Sequence, residues 1–341
     1  KNMPDPTILL PNQYFDSLFW TGNNSSRNIT GLEFDPDFVW AKNRTIAYSH
    51  EIYDTVRGNT KRIFSNNANT ENSTGALSFG VTGGFALAAG GSLNDDDGTN
   101  DIVAWNWKGG GSASSNNDGS LTASVSANPT AGFSIGTFTA QSSGSATVGH
   151  GLGVAPNVVI TKSRTSASNW YSYHQAIGQD GWILLDTADA ATTGNSAVWN
   201  PAPTSSVFTY GSGLVNQGDI VFYAFSEVAG YSKMGTYIGN ANADGTYVYT
   251  GFRPAFVLTK GTWGGNWNIY DNKRPGYNVT NDILYPNLNN VEYDGSSTDN
   301  QMDMVANGFK LRGSDADTNN SGQTFIYMAF AEFPFKYSRA R

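Results

Sequence analysis

The densest run of groups able to do chemistry is NDDDGTND, Asn94–Asp101, which carries Asp95, Asp97 and Asp101 around a glycine. Alternating oxygen donors about a glycine resemble a calcium loop, because Ca²⁺ takes about six to eight oxygens at close range. These three aspartates are the candidate metal ligands, and Ca²⁺ is the candidate ion. The EF-hand spacing with its closing glutamate is missing. A hairpin turn asks for Asn, Asp and Gly on its own account, for positive φ and for Asx turns. The corresponding loops VNQGD (Val215–Asp219) and DADTNNSGQ (Asp315–Gln323) carry unequal charge, which favours the turn.

Paired carboxylates are the second chemistry to weigh, since glycoside hydrolysis sets two of them ~5–10 Å apart across the scissile bond. Glu227 and Glu332 qualify by type, but they end equivalent strands, and Gly109 stands at that place earlier in the chain. A shared structural role accounts for them more simply. His50, His150 and His174 show no metal-ligand spacing. GHGLG at Gly149–Gly153 stands before a strand and not at a helix start, so the dinucleotide-loop reading fails. No catalytic residue is assigned, no organic cofactor is implied, and the chain reads as a binding or structural protein.

Aromatic side chains are the most abundant informative residues, with 9 Trp, 17 Tyr and 19 Phe, so most of them must fill cores. Trp199, Tyr210, Trp263, Trp267 and Tyr277 lie near turns and are the candidate ligand-binding set, as platforms for sugar rings on a polar rim. Surface aromatics also build protein interfaces.

The elements that must position these residues are set by one phrase. GFRPAFVLTK, Gly251–Lys260, reads as a loop, a proline and an apolar strand closed by a lysine. The same phrase ends GLGVAPNVVITK at Lys162 and GLEFDPDFVWAK at Lys42, with Pro36, Pro156 and Pro254 each six residues before the lysine. Proline ahead of a strand fixes φ and gives up no ladder hydrogen bond. Phe38–Lys42, Val158–Lys162 and Phe256–Lys260 are apolar on both alternations, as expected of strands covered on both faces. The spacing predicts a threefold repeat.

Around each phrase the same order recurs. An aromatic strand (YFDSLFWTGN, GFSIGTFTA, GYSKMGTYIGN) precedes it, and a strand ending EIYD, WYSYH or WNIYD follows. Then come a short apolar piece, a strand centred on Phe85, Phe208 or Phe309, and a last strand, IVAWNWKG, IVFYAFSE or FIYMAFAE. In this alignment Trp107, Phe225 and Phe330 are equivalent and share one face, with Asn106, Ala224 and Ala329 on the other. The predicted fold is all-β: three tandem β-sandwich repeats, each with its own core, with short turns and little helix. The expected domains are an extended N-terminal arm at 1–12, a first repeat with a Gly/Ser/Asn-rich linker at 13–129, a second at 130–228 and a third at 229–341. The linker composition reads as flexible, although LTASV within it alternates like a weak strand. The arm, with three prolines, packs on the first repeat or anchors a neighbouring subunit.

Composition agrees with this plan: 341 residues, 39 Gly, and charged residues at only 14% suit many short strands and polar turns. The net charge of −8 argues against a nucleic-acid partner, which calls for a basic patch. Without cysteine, neither disulfides nor thiolate metal sites form. No run approaches the ~20 apolar residues of a membrane span, so membrane insertion is not expected.

GLGVAPNVVITKSRTSASNWYSYH, YTGFRPAFVLTK, FDPDFVWAKNR, DTVRGNTKRIFSNN, WKGGGSASSNNDGSLTASVSANPTAGFS and the ending IYMAFAEFPFKYSRAR resemble a repeated domain of uncharacterised function in phage proteins, mostly of marine phages and viral metagenomes. The resemblance covers nearly the whole chain and departs where it implies Cys, at Asn106. It implies a tail-fibre-like or virion structural protein and brings no catalytic residues. The expected function is a non-catalytic virion appendage that binds a host-surface glycan or protein receptor. The runner-up is a purely structural particle protein, a capsid decoration or tail adaptor, and a polysaccharide depolymerase stands third. The expected location is the virion surface. The expected partners are other virion proteins and further copies of the chain, as a homotrimer held by its N-terminal arm and one face of the repeats.

Overall fold

The computed structural model describes residues 6–95, 99–274, 278–294 and 300–334, and among these the regular elements are almost all strands. The exceptions are two 3-10 turns and one four-residue helix, α1 (Ala316–Asn319). The first unit holds β1 (Phe15–Thr21), β2 (Arg27–Thr30), β3 (Phe38–Asn43), β4 (Glu51–Asp54), β5 (Ile63–Phe64), β6 (Leu77–Val81), β7 (Gly84–Leu87) and β8 (Asp101–Trp107). A connecting pair follows, β9 (Ser114–Asn116) and β10 (Ala123–Asn128). The second unit holds β11 (Phe133–Thr139), β12 (Ala146–Gly149), β13 (Val158–Ser163), β14 (Tyr171–His174), β15 (Gly181–Leu184), β16 (Thr192–Thr193), β17 (Val207–Tyr210) and β18 (Asp219–Phe225). The third holds β19 (Ser232–Ile238), β20 (Tyr247–Tyr249), β21 (Phe252–Gly261), β22 (Asn268–Asp271), β23 (Met302–Val305), β24 (Gly308–Leu311) and β25 (Thr324–Pro334).

One strand order recurs in three large antiparallel sheets: β1-β8-β3-β4, β11-β18-β13-β14 and β19-β25-β21-β22. Registers match as well. Phe38 pairs with Trp107 and Asp54, Val158 with Phe225 and His174, and Phe256 with Phe330 and Asp271. The proline-strand-lysine phrase therefore builds β3, β13 and β21, the strand beside the last strand in each sheet. All six residues of β3 and of β13, and all ten of β21, are buried.

Each large sheet covers a small one, β2-β7-β6, β12-β17 or β20-β24-β23. Phe85, Phe208 and Phe309 pair there with Ile29, Val148 and Val248, and all three rings are fully buried between the sheets. This is the sandwich expected from the alternation.

The opposite faces of the large sheets carry the main departure from expectation. They meet in a fourth core that draws Phe38, Trp105 and Trp107, Phe133 and Phe225, and Phe256 and Phe330 from all three units. Trp107, Phe225 and Phe330 touch one another, with ring centroids 6.5, 5.4 and 5.9 Å apart around the triangle. The units are thus fused about a common axis, whereas the sequence leads one to expect a row of sandwiches with separate cores. Strands wet on one face alternate; these are apolar on both faces because one side serves the unit and the other the shared core.

One boundary moves, and the arm packs elsewhere than expected. The stretch expected to be a flexible linker is ordered, and β10 pairs with β11 at the edge of the second sheet. Ala123 and Val125 sit in the second unit's own core, so that unit begins before β9 and not near Pro129. In the arm, Ile8 is buried in the shared core and the Thr7 amide donates to Ala229 O at 3.3 Å, so the arm packs against the start of the third unit. Leu9 and Leu10 stay exposed. Among the described residues no helix is long and apolar enough to cross a membrane.

Candidate functional site

The groups weighed for chemistry are engaged in local structure. Glu227 accepts from the Met234 amide at 2.9 Å and pairs with Lys233, and Glu332 pairs with Arg253 at 2.9 Å. His50 accepts from Trp40 Nε1–H at 3.2 Å, and burial holds its pKa well below the ordinary value. Burial lowers His174 to about 4, and its Nδ1 accepts from the Ala176 amide at 3.2 Å. Of the candidate calcium ligands, Asp95 accepts from Tyr48 Oη–H and Asp101 from Thr21 Oγ1–H, each at 2.9 Å. Asp97 lies outside the described residues. Among the described residues no cluster of three or more His, Asp or Glu is grouped as a metal site requires.

The aromatic set divides. Trp199 and Tyr210 are buried in the second unit's core against Phe208 and Phe138 respectively, and Trp267 is buried in the shared core. These three are corrections: large rings near turns were needed inside, where each removes the most apolar surface from water. Tyr277 lies outside the described residues. Trp263 alone of the described set reaches solvent, at 37% exposure.

Trp263 stands on a seam between units, and the three seams are chemically unequal. At the seam of the first and second units the Glu71 amide donates to Arg164 O at 2.8 Å, while Arg164 returns two bonds of 2.9 Å to the Glu71 carboxylate. Behind them Arg57 bonds Glu71 and Asp54, and Tyr223 Oη–H crosses from the second unit to Asp54 at 2.7 Å. The seam of the third and first units repeats this. The Glu292 amide donates to Arg44 O at 2.7 Å, Arg44 Nε–H to Glu292 at 2.9 Å, Arg274 bridges Glu292 and Asp271, and Trp105 Nε1–H reaches Asp271 at 2.9 Å.

At the remaining seam the backbone bond persists, Ala191 N–H to Thr262 O at 2.8 Å, but Ala191 and Thr262 stand where the others carry Glu and Arg. His174, Ile177 and Met328 replace the Asp, Arg and aromatic donor. The ionic group has been exchanged as a whole, which avoids stranding a buried charge. Trp263 follows Thr262 directly, at the rim of this seam, which lacks the Glu–Arg network, and the next residue, Gly264, lies beside Ala188 and Ala190 of the exposed Asp189 segment. The exposed indole suits stacking on a ligand, with Asp189 and Asp317 as the acidic groups nearest its loop.

Sequence reasoning missed these seams. Their signal was present: DTVR at Asp54–Arg57 and DNKR at Asp271–Arg274 follow the same strand at the same spacing, with HQAI at His174–Ile177 between them. The sequence singles out Lys42, Lys162 and Lys260 as the ends of the repeated phrase, but not the burial of their ammonium groups, which donate to backbone carbonyls, Lys162 to Ser163 O at 2.8 Å and to Ala68 O of the first unit at 3.2 Å. Burial lowers each of the three to about 8.

An open groove of ≈ 780 Å³ beside Gly109–Gly111 is lined in part by Asp37, Lys108 and Asn128. Asp37 accepts from Thr55 Oγ1–H at 3.0 Å, and burial raises its pKa. In the second unit Asn157 takes the same place and accepts from the Glu227 amide at 2.7 Å, so the position caps the turn after the last strand.

Compared with known proteins, the chain matches one family model, described as a domain of unknown function (DUF7483), over residues 10–334. No curated protein and no solved structure matches it.

Proposed function

The chain belongs to that family of unknown function, and we propose that it serves as a non-catalytic binding module of a virion appendage, carried on the particle surface and attaching to a host-surface glycan or protein. The observation that carries this reading is Trp263, an exposed indole on the seam that lacks the Glu–Arg network of the other two. The sequence resemblance to tail-fibre-like phage proteins supplies the setting. A fused body with a shared core makes a stiff carrier, and stiffness limits the entropy lost on binding.

The test is binding of the purified chain to whole host cells, with Trp263→Ala as the variant. Loss of binding with an unchanged melting curve supports the reading. Release of reducing ends from host polysaccharide would overturn it in favour of a depolymerase.

A second reading, a purely structural decoration or adaptor, is favoured by Leu9 and Leu10, exposed where the arm meets the third unit. Other virion proteins, or two more copies in a homotrimer, would cover them. A trimer would be held by this arm together with one outer face of the repeats. Light scattering on the chain and on a Leu9→Ser/Leu10→Ser variant decides: a monomer in both sets the trimer aside.

A further inference from the structure

The outer face of β20 carries two exposed tyrosines, Tyr247 at 44% and Tyr249 at 49%, with Val248 between them turned into the core. Alternation puts both rings on one side of the sheet, ~7 Å apart along the strand. Across the ladder Tyr247 is in register with Lys310 and Tyr249 with Gly308, and beyond them lie Asp303 and Val305.

The same scaffold positions exist twice more in the molecule. In the first unit they are Asn28 and Thr30 on β2, paired to Ala86 and Gly84; in the second they are Thr147 and Gly149 on β12, paired to Thr209 and Val207. Both of those small sheets form without an aromatic residue at either place. The fold therefore has no need of the two rings, and their cost in exposed apolar surface calls for another reason.

The charges around the rings are balanced. Lys310 pairs with Asp244 at 2.5 Å and Arg312 with Asp303 at 2.5 Å, so these four charges are matched and leave no unpaired cation among them to favour an anionic ligand. We propose that Tyr247 and Tyr249 form a stacking platform for a neutral saccharide chain. The rings meet the apolar C–H faces of the sugar, and the polar rim, including the Tyr247 hydroxyl that donates to Asn307 O at 3.3 Å, meets its hydroxyls. The assignment deepens the attachment reading and rests on it only for its biological setting.

The test titrates the full chain, with its tyrosine rings labelled for NMR, with neutral hexaoses of glucose, galactose and mannose, and with hexagalacturonate as the anionic control, up to about 10 mM. The Tyr247 and Tyr249 ring signals should shift saturably with at least one neutral hexaose. Tyr247→Asn/Tyr249→Thr, which installs the first unit's residues, should weaken that binding about tenfold or more. Failure of whole-cell binding alone would count against attachment and leave this assignment standing. No ring shift with any neutral hexaose, binding of hexagalacturonate alone, or undiminished binding by the double variant would each overturn it.

Discussion

Trp107 packs against Phe330 with ring centroids 5.4 Å apart, joining the last strand of the first unit to the last strand of the third. Phe225 completes the triangle, so each unit's final strand supplies one ring to the same aromatic contact. Phe330→Ala should cost about 3–5 kcal/mol, the range for truncating a buried phenylalanine. Because the contact is shared, the loss should appear in all units at once. Guanidinium unfolding followed by tryptophan fluorescence and by far-UV dichroism should give one coincident transition, shifted to lower denaturant. Separate transitions would mean that the units fold independently.

Glu71→Ala should destabilise the protein by about 3 kcal/mol, because Arg57, with a fully buried side chain, is left sharing Asp54 with Tyr223. The converse change is informative. Ala191→Glu with Thr262→Arg rebuilds an outer pair on the seam that lacks one and should gain no more than about 1 kcal/mol, since the supporting Asp and Arg are absent there. Thermal melts of the two variants check both signs.

The three buried lysines predict a stability that rises with alkalinity over a narrow window. Desolvation lowers Lys42, Lys162 and Lys260 from 10.5 to about 8, so between those values the unfolded chain binds more protons than the folded one. Stability then increases with pH from about 8, where the ammonium forms begin to be released in the folded state. Buried tyrosines such as Tyr53 and Tyr223, whose pKa values are raised well above 10.0, reverse the slope beyond that point. Denaturant midpoints between pH 7.5 and pH 10 should rise in the wild type, and less in Lys162→Met.

Asp282 adds an acidic counterpart at the seam of the third and first units. Burial and the neighbouring Glu292 raise its pKa from 3.8 to about 6, against the opposing pull of Arg274 and Arg44. Its contribution is fully present below the unfolded value and is lost as pH rises through about 6. Asp282→Asn should flatten the dependence of the melting temperature between pH 4 and pH 6.5.

The sequence alone determined the four recurring strands of each large sheet and their order along the chain. Proline six residues before a lysine, apolar runs without alternation, and the recurring EIYD, WYSYH and WNIYD endings are local signals, and the local backbone obeys them. It also placed Trp107, Phe225 and Phe330 at one equivalent position. What it left undecided is what covers the second face of the large sheets, since a residue buried by its own unit and one buried by a neighbour are equally apolar. Only the closed ring shows that the face is shared, and only the ring pairs Asp54 with Tyr223 and Asp271 with Trp105, contacts that span well over a hundred residues of chain. The candidate site follows the same division. Composition marked the aromatics as informative, but exposure is a property of the assembled surface: packing drew Trp199, Tyr210 and Trp267 inside, left Trp263 on a seam, and set Tyr247 and Tyr249 outward on a strand whose pattern alone does not say which face meets water.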